Sequence, residues 1–292
     1  MVPRSAVWRG LAVSIAGAVL ISFETLLLRL VTADIWTIIW WRGVLLGATL
    51  LLVAVASTRS LRILRLRGGA EGLVVIAFAA AVFCFVSALL HTTVANTLVI
   101  GSAAPFAAAL LSWIFLRERL PAATWIVSLV LVAGLFIIFY DSLRTDSLAG
   151  DLAALGYAFC LGAYFVALRR SRSEAFLTVI GYGGLLSAAL AWPLASPLAT
   201  SASDVIHLSI LGILVVPLAT LLLARGTEHL AAPDVTLIMM LDTLLGPLWV
   251  WLALGETPDR ATFIGGALIL ATIVAHAYMT AARKPAGRDT ID

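Results

Sequence analysis

Long apolar blocks, parted by short clusters of charge, Pro and Gly, set the pattern of this chain. A helix needs about 20 apolar residues to cross the hydrocarbon of a bilayer. Marking the breaks predicts ten spans, at 8–30, 35–56, 71–90, 94–116, 122–140, 149–168, 176–195, 205–224, 232–254 and 261–281. Only "HTTVAN" parts the third from the fourth, and turns this tight make neighbouring helices antiparallel. The blocks are too long and uninterrupted for barrel strands, whereas helices satisfy their own backbone groups in lipid. The sequence therefore predicts an all-α integral membrane protein with ten transmembrane helices.

Composition agrees with the pattern. With 62% hydrophobic residues, 12% charged ones and a mean hydropathy of +1.07, the chain lacks the charge to cover a soluble surface. The basic start "MVPRSAVWRG" precedes an apolar run with no small-residue cleavage pattern, and is read as a retained first span. Placing both termini in the cytoplasm, as ten spans allow, puts 15 of the 19 Lys and Arg residues on that side and leaves Arg29, Arg42, Arg144 and Arg260 on the other. That fits the positive-inside rule. The same scattered arginines, without interleaved aromatics, exclude nucleic acid as a partner. Cys84 and Cys160 lie inside apolar runs, so neither a disulfide framework nor a metal spacing is present.

The sequence also repeats. "APFAAALLSWIFLRERLPAATWIVSLVLVAGLFII" from Ala104, shifted by 138, meets "DTLLGPLWVWLALGETPDRATFIGGALILATIVA" from Asp242, with Trp113 on Trp251 and Glu118 on Glu256. The first helix matches the sixth at an offset of about 140 (Arg29 on Arg169). The chain thus divides into two five-helix halves, 1–146 and 147–292. Five is odd, so the halves are expected to be inverted, and the charges agree: "RSLRILRLRGG" follows the second helix, while its counterpart "PLASPLATSASD" holds no Lys or Arg. Inverted repeats are a feature of secondary transporters, with the cargo near the midplane between the halves; duplication can also build a channel or a scaffold.

The ends of the fourth and ninth helices, "PFAAALLSWIFLRERL" and "DTLLGPLWVWLALGET", resemble the ten-helix EamA branch of the drug/metabolite transporter superfamily. Where that family commonly shows Leu-Glu-Pro, this chain has Leu241-Asp242-Thr243, with Pro247 one turn later. The resemblance implies a transporter in a bacterial inner membrane, similar to exporters of aromatic and other amino acids. The implied cargo is a small amphipathic metabolite, and protons are a candidate co-substrate.

Candidate site residues follow from depth. Asp242 lies about 15 Å into the ninth span, close to half the hydrocarbon thickness, and intramembrane acids usually face a bundle interior or a wet cavity. It is expected to contact a cargo amine or carry a proton, or else to bond neighbouring helices. Glu24, about 24 Å from the inner edge, is expected at the same outer depth as Arg42, which suggests an ion pair between the first two helices. Glu118 and Glu256 close their helices near the surface and are expected to cap them or to pair with Arg117, Arg119 or Arg260. His91 and Asn96 bracket the turn between the third and fourth helices. Tyr157 and Tyr164 share a helix face at a spacing of seven and are candidates for the cavity wall or for packing. Trp40 is a candidate for cargo stacking or for the interfacial aromatic belt, and Met239 for adaptable apolar contact. Pro105, Pro217 and Pro247 sit within spans and are candidate hinges for alternating access. No cofactor and no metal ligand set is expected. The histidines are scattered, and neither H-E-x-x-H, G-x-S-x-G nor a phosphate loop occurs, which argues against an intramembrane enzyme. A lipid flippase or a carrier of another metabolite or drug stays open.

Overall fold

The computed structural model describes residues 4–117, 129–130, 132–140, 147–171, 176–226, 238–239 and 241–282, and these contain helices and turns with no strand among them. Glu118 and the first part of the predicted fifth span, 122–128, lie outside the described residues, as does the start of the ninth.

Among the described residues, three of the predicted spans are broken helices. The first is α1 (Arg4–Ile21) followed by α2 (Phe23–Arg29), parted at Ser22. The Ser22 hydroxyl donates to Val19 O at 2.7 Å, a local bond that competes with the helix ladder and bends it. The fourth span is α5 (Val94–Gly101) followed by α6 (Ala104–Leu116). Pro105 stands in the first turn of α6, where a missing N–H removes no helix bond, so the break precedes the proline. The eighth is α10 (Ala202–Ser209), a wide-wound π segment at Ile210–Val215, and α11 (Val216–Gly226) with Pro217 in its first turn. Around these lie α3 (Ile35–Thr58), α4 (Gly69–His91), α7 (residues 132–140), α8 (Leu148–Ser171), α9 (Phe176–Ala191), α12 (Leu241–Leu254, with Pro247 inside) and α13 (Arg260–Ala282). Among the described residues, six stretches are long and apolar enough to cross a membrane, from Trp8–Arg29 to Ala202–Gly226, and three more apolar helices are shorter. This is a multi-pass membrane protein.

Helix starts are fixed by side-chain caps. Asp34 accepts from the amides of Trp36 (2.9 Å) and Thr37 (3.1 Å) at the head of α3, Thr93 accepts from Asn96 N at α5, and Ser201 from Asp204 N at α10. Asp204 in turn accepts from Thr32 N and Oγ1, fastening α10 to the turn before α3.

Contacts between helices come in matched pairs. α4 packs along α8, and α1 along α11; α6 meets α8, and α12 meets α1 and α2; α4 meets α9, and α3 meets the π segment. Exchanging each element for the one five spans later turns the first member of every pair into the second. α3 and α9 cross each other at the centre of this exchange, and their glycines bring the backbones together. A Cβ on Gly43 would stand 2.4 Å from Gly184 O, and one on Gly47 2.8 Å from Gly181 O. Large apolar side chains such as Trp8, Leu52, Phe115 and Phe263 remain exposed, as an exterior solvated by lipid tails requires. Arg59, Arg62, Arg65 and Arg67 are exposed together on the α3–α4 connection.

Candidate functional site

Because α2 restarts after Ser22, Glu24 falls in its first turn and points inward. Arg42, a third of the way along α3, donates to Glu24 Oε1 through Nε at 3.0 Å and through Nη2 still more closely. Both side chains are buried. The ion pair expected from their common depth is therefore present. Its third nitrogen, Nη1, is buried with no hydrogen-bond partner among the described residues. The same holds for Oδ1 of Asp242, in the first turn of α12.

Asp242 reaches this neighbourhood because α12 is anchored on α2. The Trp249 ring stacks on Phe23 with centroids 4.9 Å apart, and its indole N–H donates to Ser22 Oγ at 2.8 Å. Gly246 permits the approach: a Cβ there would lie 2.4 Å from Leu98 Cδ1, 3.1 Å from Thr25 Oγ1 and 3.8 Å from Asp242 Oδ1. The Asp242 and Glu24 charges lie within interaction range, and Tyr157 lies within range of Glu24, Asp242 and Arg42 alike. Two buried carboxyl groups thus lie near each other, and Arg42 is bonded to one of them, Glu24, in an interior where an unpaired charge is costly.

About 7.5 Å further along α2, a second polar cluster meets every one of its acids, though Arg29 Nε is left without a partner among the described residues. Arg29 Nη2 donates to Thr92 O at 2.7 Å and to Glu256 at 3.1 Å, and Glu256 also accepts from Val94 N at 2.8 Å, capping α5. Asp151 accepts from Thr92 Oγ1 at 2.5 Å and twice from Asn96 Nδ2 at 3.1 Å, while Thr262 donates to Asn96 Oδ1. Among the described residues no group of three or more His, Cys, Asp and Glu is poised to hold a metal.

Of the sequence candidates, Glu24, Arg42, Asp242 and Tyr157 come together. The others do not join them. Asn96 is committed to the Asp151 network. His91 is exposed, with Nδ1 2.8 Å from Ser87 O on its own helix. Tyr164 is buried against Phe78 and Phe165, the packing alternative its spacing had left open. Trp40 packs on Trp41 and Trp192, and Met239 is exposed. Glu256 corrects an expectation: it pairs with Arg29 rather than Arg260, because the left-handed turn at Gly255 (φ 71°) brings the chain back over α2. Sequence reasoning passed over Trp249, although it stands seven residues from Asp242 on the same helix face. It also passed over Asp151, which is fully buried at the start of α8.

An all-helical bundle that holds ionised groups in its interior and pairs its helices two by two has the construction of a membrane transporter. The model of the EamA-like transporter family matches residues 8–140 and again residues 148–277, and the chain belongs to that family. Its members are transporters, not enzymes. The chain is 27% identical over 195 residues to the pseudopaline exporter CntI of Pseudomonas aeruginosa (strain UCBPP-PA14), covering 66% of this chain and 69% of that protein. It is 29% identical over 170 residues to the uncharacterized transporter YdfC of Bacillus subtilis (strain 168), covering 56% of each. A solved crystal structure shares the fold with a TM-score of 0.67 at 21% identity, over 97% of this chain and 100% of its own.

Proposed function

We propose that the protein exports small amphipathic metabolites, amino acids with aromatic or hydrophobic side chains first among them, by alternating access between two inverted five-helix halves. The observation that carries this reading is the buried Glu24–Arg42 ion pair with Asp242 near Glu24, where Asp242 Oδ1 lacks a partner. Such an oxygen suits the ammonium group of a cargo. The twofold family match and the paired helix contacts support the inverted repeat. The name of the Pseudomonas relative supports export of a metabolite. Both termini are assigned to the cytoplasmic side of the inner membrane on the distribution of Lys and Arg. The breaks at Ser22, before Pro105 and before Pro217, together with Pro247, are the bending points of the cycle.

Counterflow by purified protein in liposomes, across a panel of amino acids, tests the cargo. Exchange of apolar and aromatic amino acids is expected. If these fail while another metabolite exchanges, the cargo assignment falls. Fixing the halves with engineered cysteine crosslinks at either end is expected to stop flux, and undiminished flux would refute alternating access.

A further inference from the structure

We propose that Arg42 and Asp242 form a two-pronged site for a zwitterionic head group, with Arg42 Nη1 taking the carboxylate of the cargo and Asp242 Oδ1 its ammonium. The inference rests on the cargo reading above and adds a second recognition element to it.

Buried polar groups in folded proteins are almost always partnered, and the other acids of this interior follow the rule, although Ser14 Oγ, Arg29 Nε, Thr178 Oγ1 and His207 Nδ1 are also unmet among the described residues. Asp151 is met by Thr92 and Asn96, Asp204 by Thr32, and Glu256 by Arg29 and Val94 N. The exceptions at the centre have opposite signs. Arg42 Nη1 is a charged donor lacking an acceptor, and Asp242 Oδ1 is an acceptor lacking a donor. Glu24 occupies only the Nε and Nη2 side of the guanidinium, and does so through a single oxygen, Oε1. The remaining N–H groups of this planar fork suit a carboxylate.

The charge count narrows the ligand. With its groups ionised, the cluster carries two negative charges and one positive. A bare carboxylate would add a third negative charge to a dry site, which is unfavourable. A bare amine would satisfy Asp242 and leave Nη1 unmet. A zwitterion satisfies both atoms and leaves the net charge unchanged. The apolar body of such a ligand meets the ring of Tyr157, which packs on Phe85, and the side chain of Leu98 beside Gly246. Arg42 belongs to the first half and Asp242 to the second, so one head group would bridge the two halves that must move against each other.

The test is counterflow with matched bodies. Phenylalanine and leucine are compared with their amines, phenethylamine and isopentylamine, and with their acids, 3-phenylpropionate and 4-methylpentanoate. Wild-type protein is expected to exchange the amino acids at least tenfold faster than either set of analogues. Arg42→Lys keeps a cation beside Glu24 and removes the second prong. It is expected to raise the KM for the amino acids at least tenfold and to narrow their advantage over the amines. If amines exchange as fast as amino acids and Arg42→Lys leaves KM unchanged, Arg42 is only the counter-ion of Glu24; this inference then fails while amino-acid export stands. Wild-type protein that exchanges neither amino acid overturns both. Should Arg42→Lys not fold, the analogue selectivity of the wild-type protein decides alone.

Discussion

Two polar clusters lie within two turns of each other along α2; each leaves one guanidinium nitrogen unmet, and they differ in how completely their acids are met. Around Asp151 the donors Thr92 and Asn96 are supplied by the chain, and Thr262 completes Asn96. Around Arg42 a donor and an acceptor are left over. A satisfied network ties elements together: here it joins the α4–α5 turn to α8 and α13. An unsatisfied one holds free energy in reserve for whatever completes it, at a cost to the stability of the empty protein. The difference teaches that burial of an acid inside a bundle is a weak sign of function, and that the tally of its partners is a stronger one.

The comparison is broken most severely at the ion pair. Arg42→Met leaves Glu24 charged and alone, and is expected to cost about 3–5 kcal/mol, seen as loss of folded protein on thermal unfolding in detergent. Adding Glu24→Gln should recover part of that loss. Next comes the closed network: Asn96→Leu removes both bonds to the Asp151 carboxylate, at about 2–3 kcal/mol, with the order of cargo preference unchanged in counterflow. Asp242→Asn is the sharpening contrast. It removes a buried, unmet carboxylate, so the unfolding temperature should hold or rise while amino-acid exchange falls about tenfold or more, as loss of a charged hydrogen bond implies. A fall in both would place Asp242 with Asp151 among the structural acids. Gly43→Val drives a side chain against Gly184 O and is expected to cost about 1–3 kcal/mol by overpacking.

The smallest effect belongs to an acid outside both clusters. Asp34 is raised by partial burial, but hydrogen bonds from the Thr37 hydroxyl and from the Thr37 and Trp36 amides outweigh this, and its pKa lies below the ordinary 3.8. A depressed folded-state pKa gives stability that is present above 3.8 and is lost as pH falls through the folded value. Asp34→Ala should therefore cost about 1 kcal/mol at neutral pH, and the gap to wild type should close on acidification below that range.

Much of this was legible before any coordinates. Hydropathy blocks marked where helices begin and end, because lipid tolerates only self-satisfied backbone, and the repeat was visible as aligned Trp113 and Trp251. Glu24 and Arg42 could be paired from depth alone, since a helix converts residue number into height. What stayed hidden depends on direction and on local turns. Nothing in the sequence shows that Gly255 adopts a positive φ, yet that dihedral sends Glu256 to Arg29. Splitting of the fourth span at Ser102 and Ala103 was foreshadowed by Pro105 but not fixed to a residue, because a proline at the head of a helix and one inside it read alike. Burial of Asp151 was concealed by the polar letters around it, as its donors come from a turn 55–59 residues earlier.

The crossing of α3 and α9 has a mechanical consequence. With Gly43 and Gly47 laid against Gly181 and Gly184, main chain rests on main chain, with the Leu51, Leu185 and Ser187 side chains packed beside it. A joint of this kind behaves as a clasp: it resists separation, since any gap forfeits close van der Waals contact.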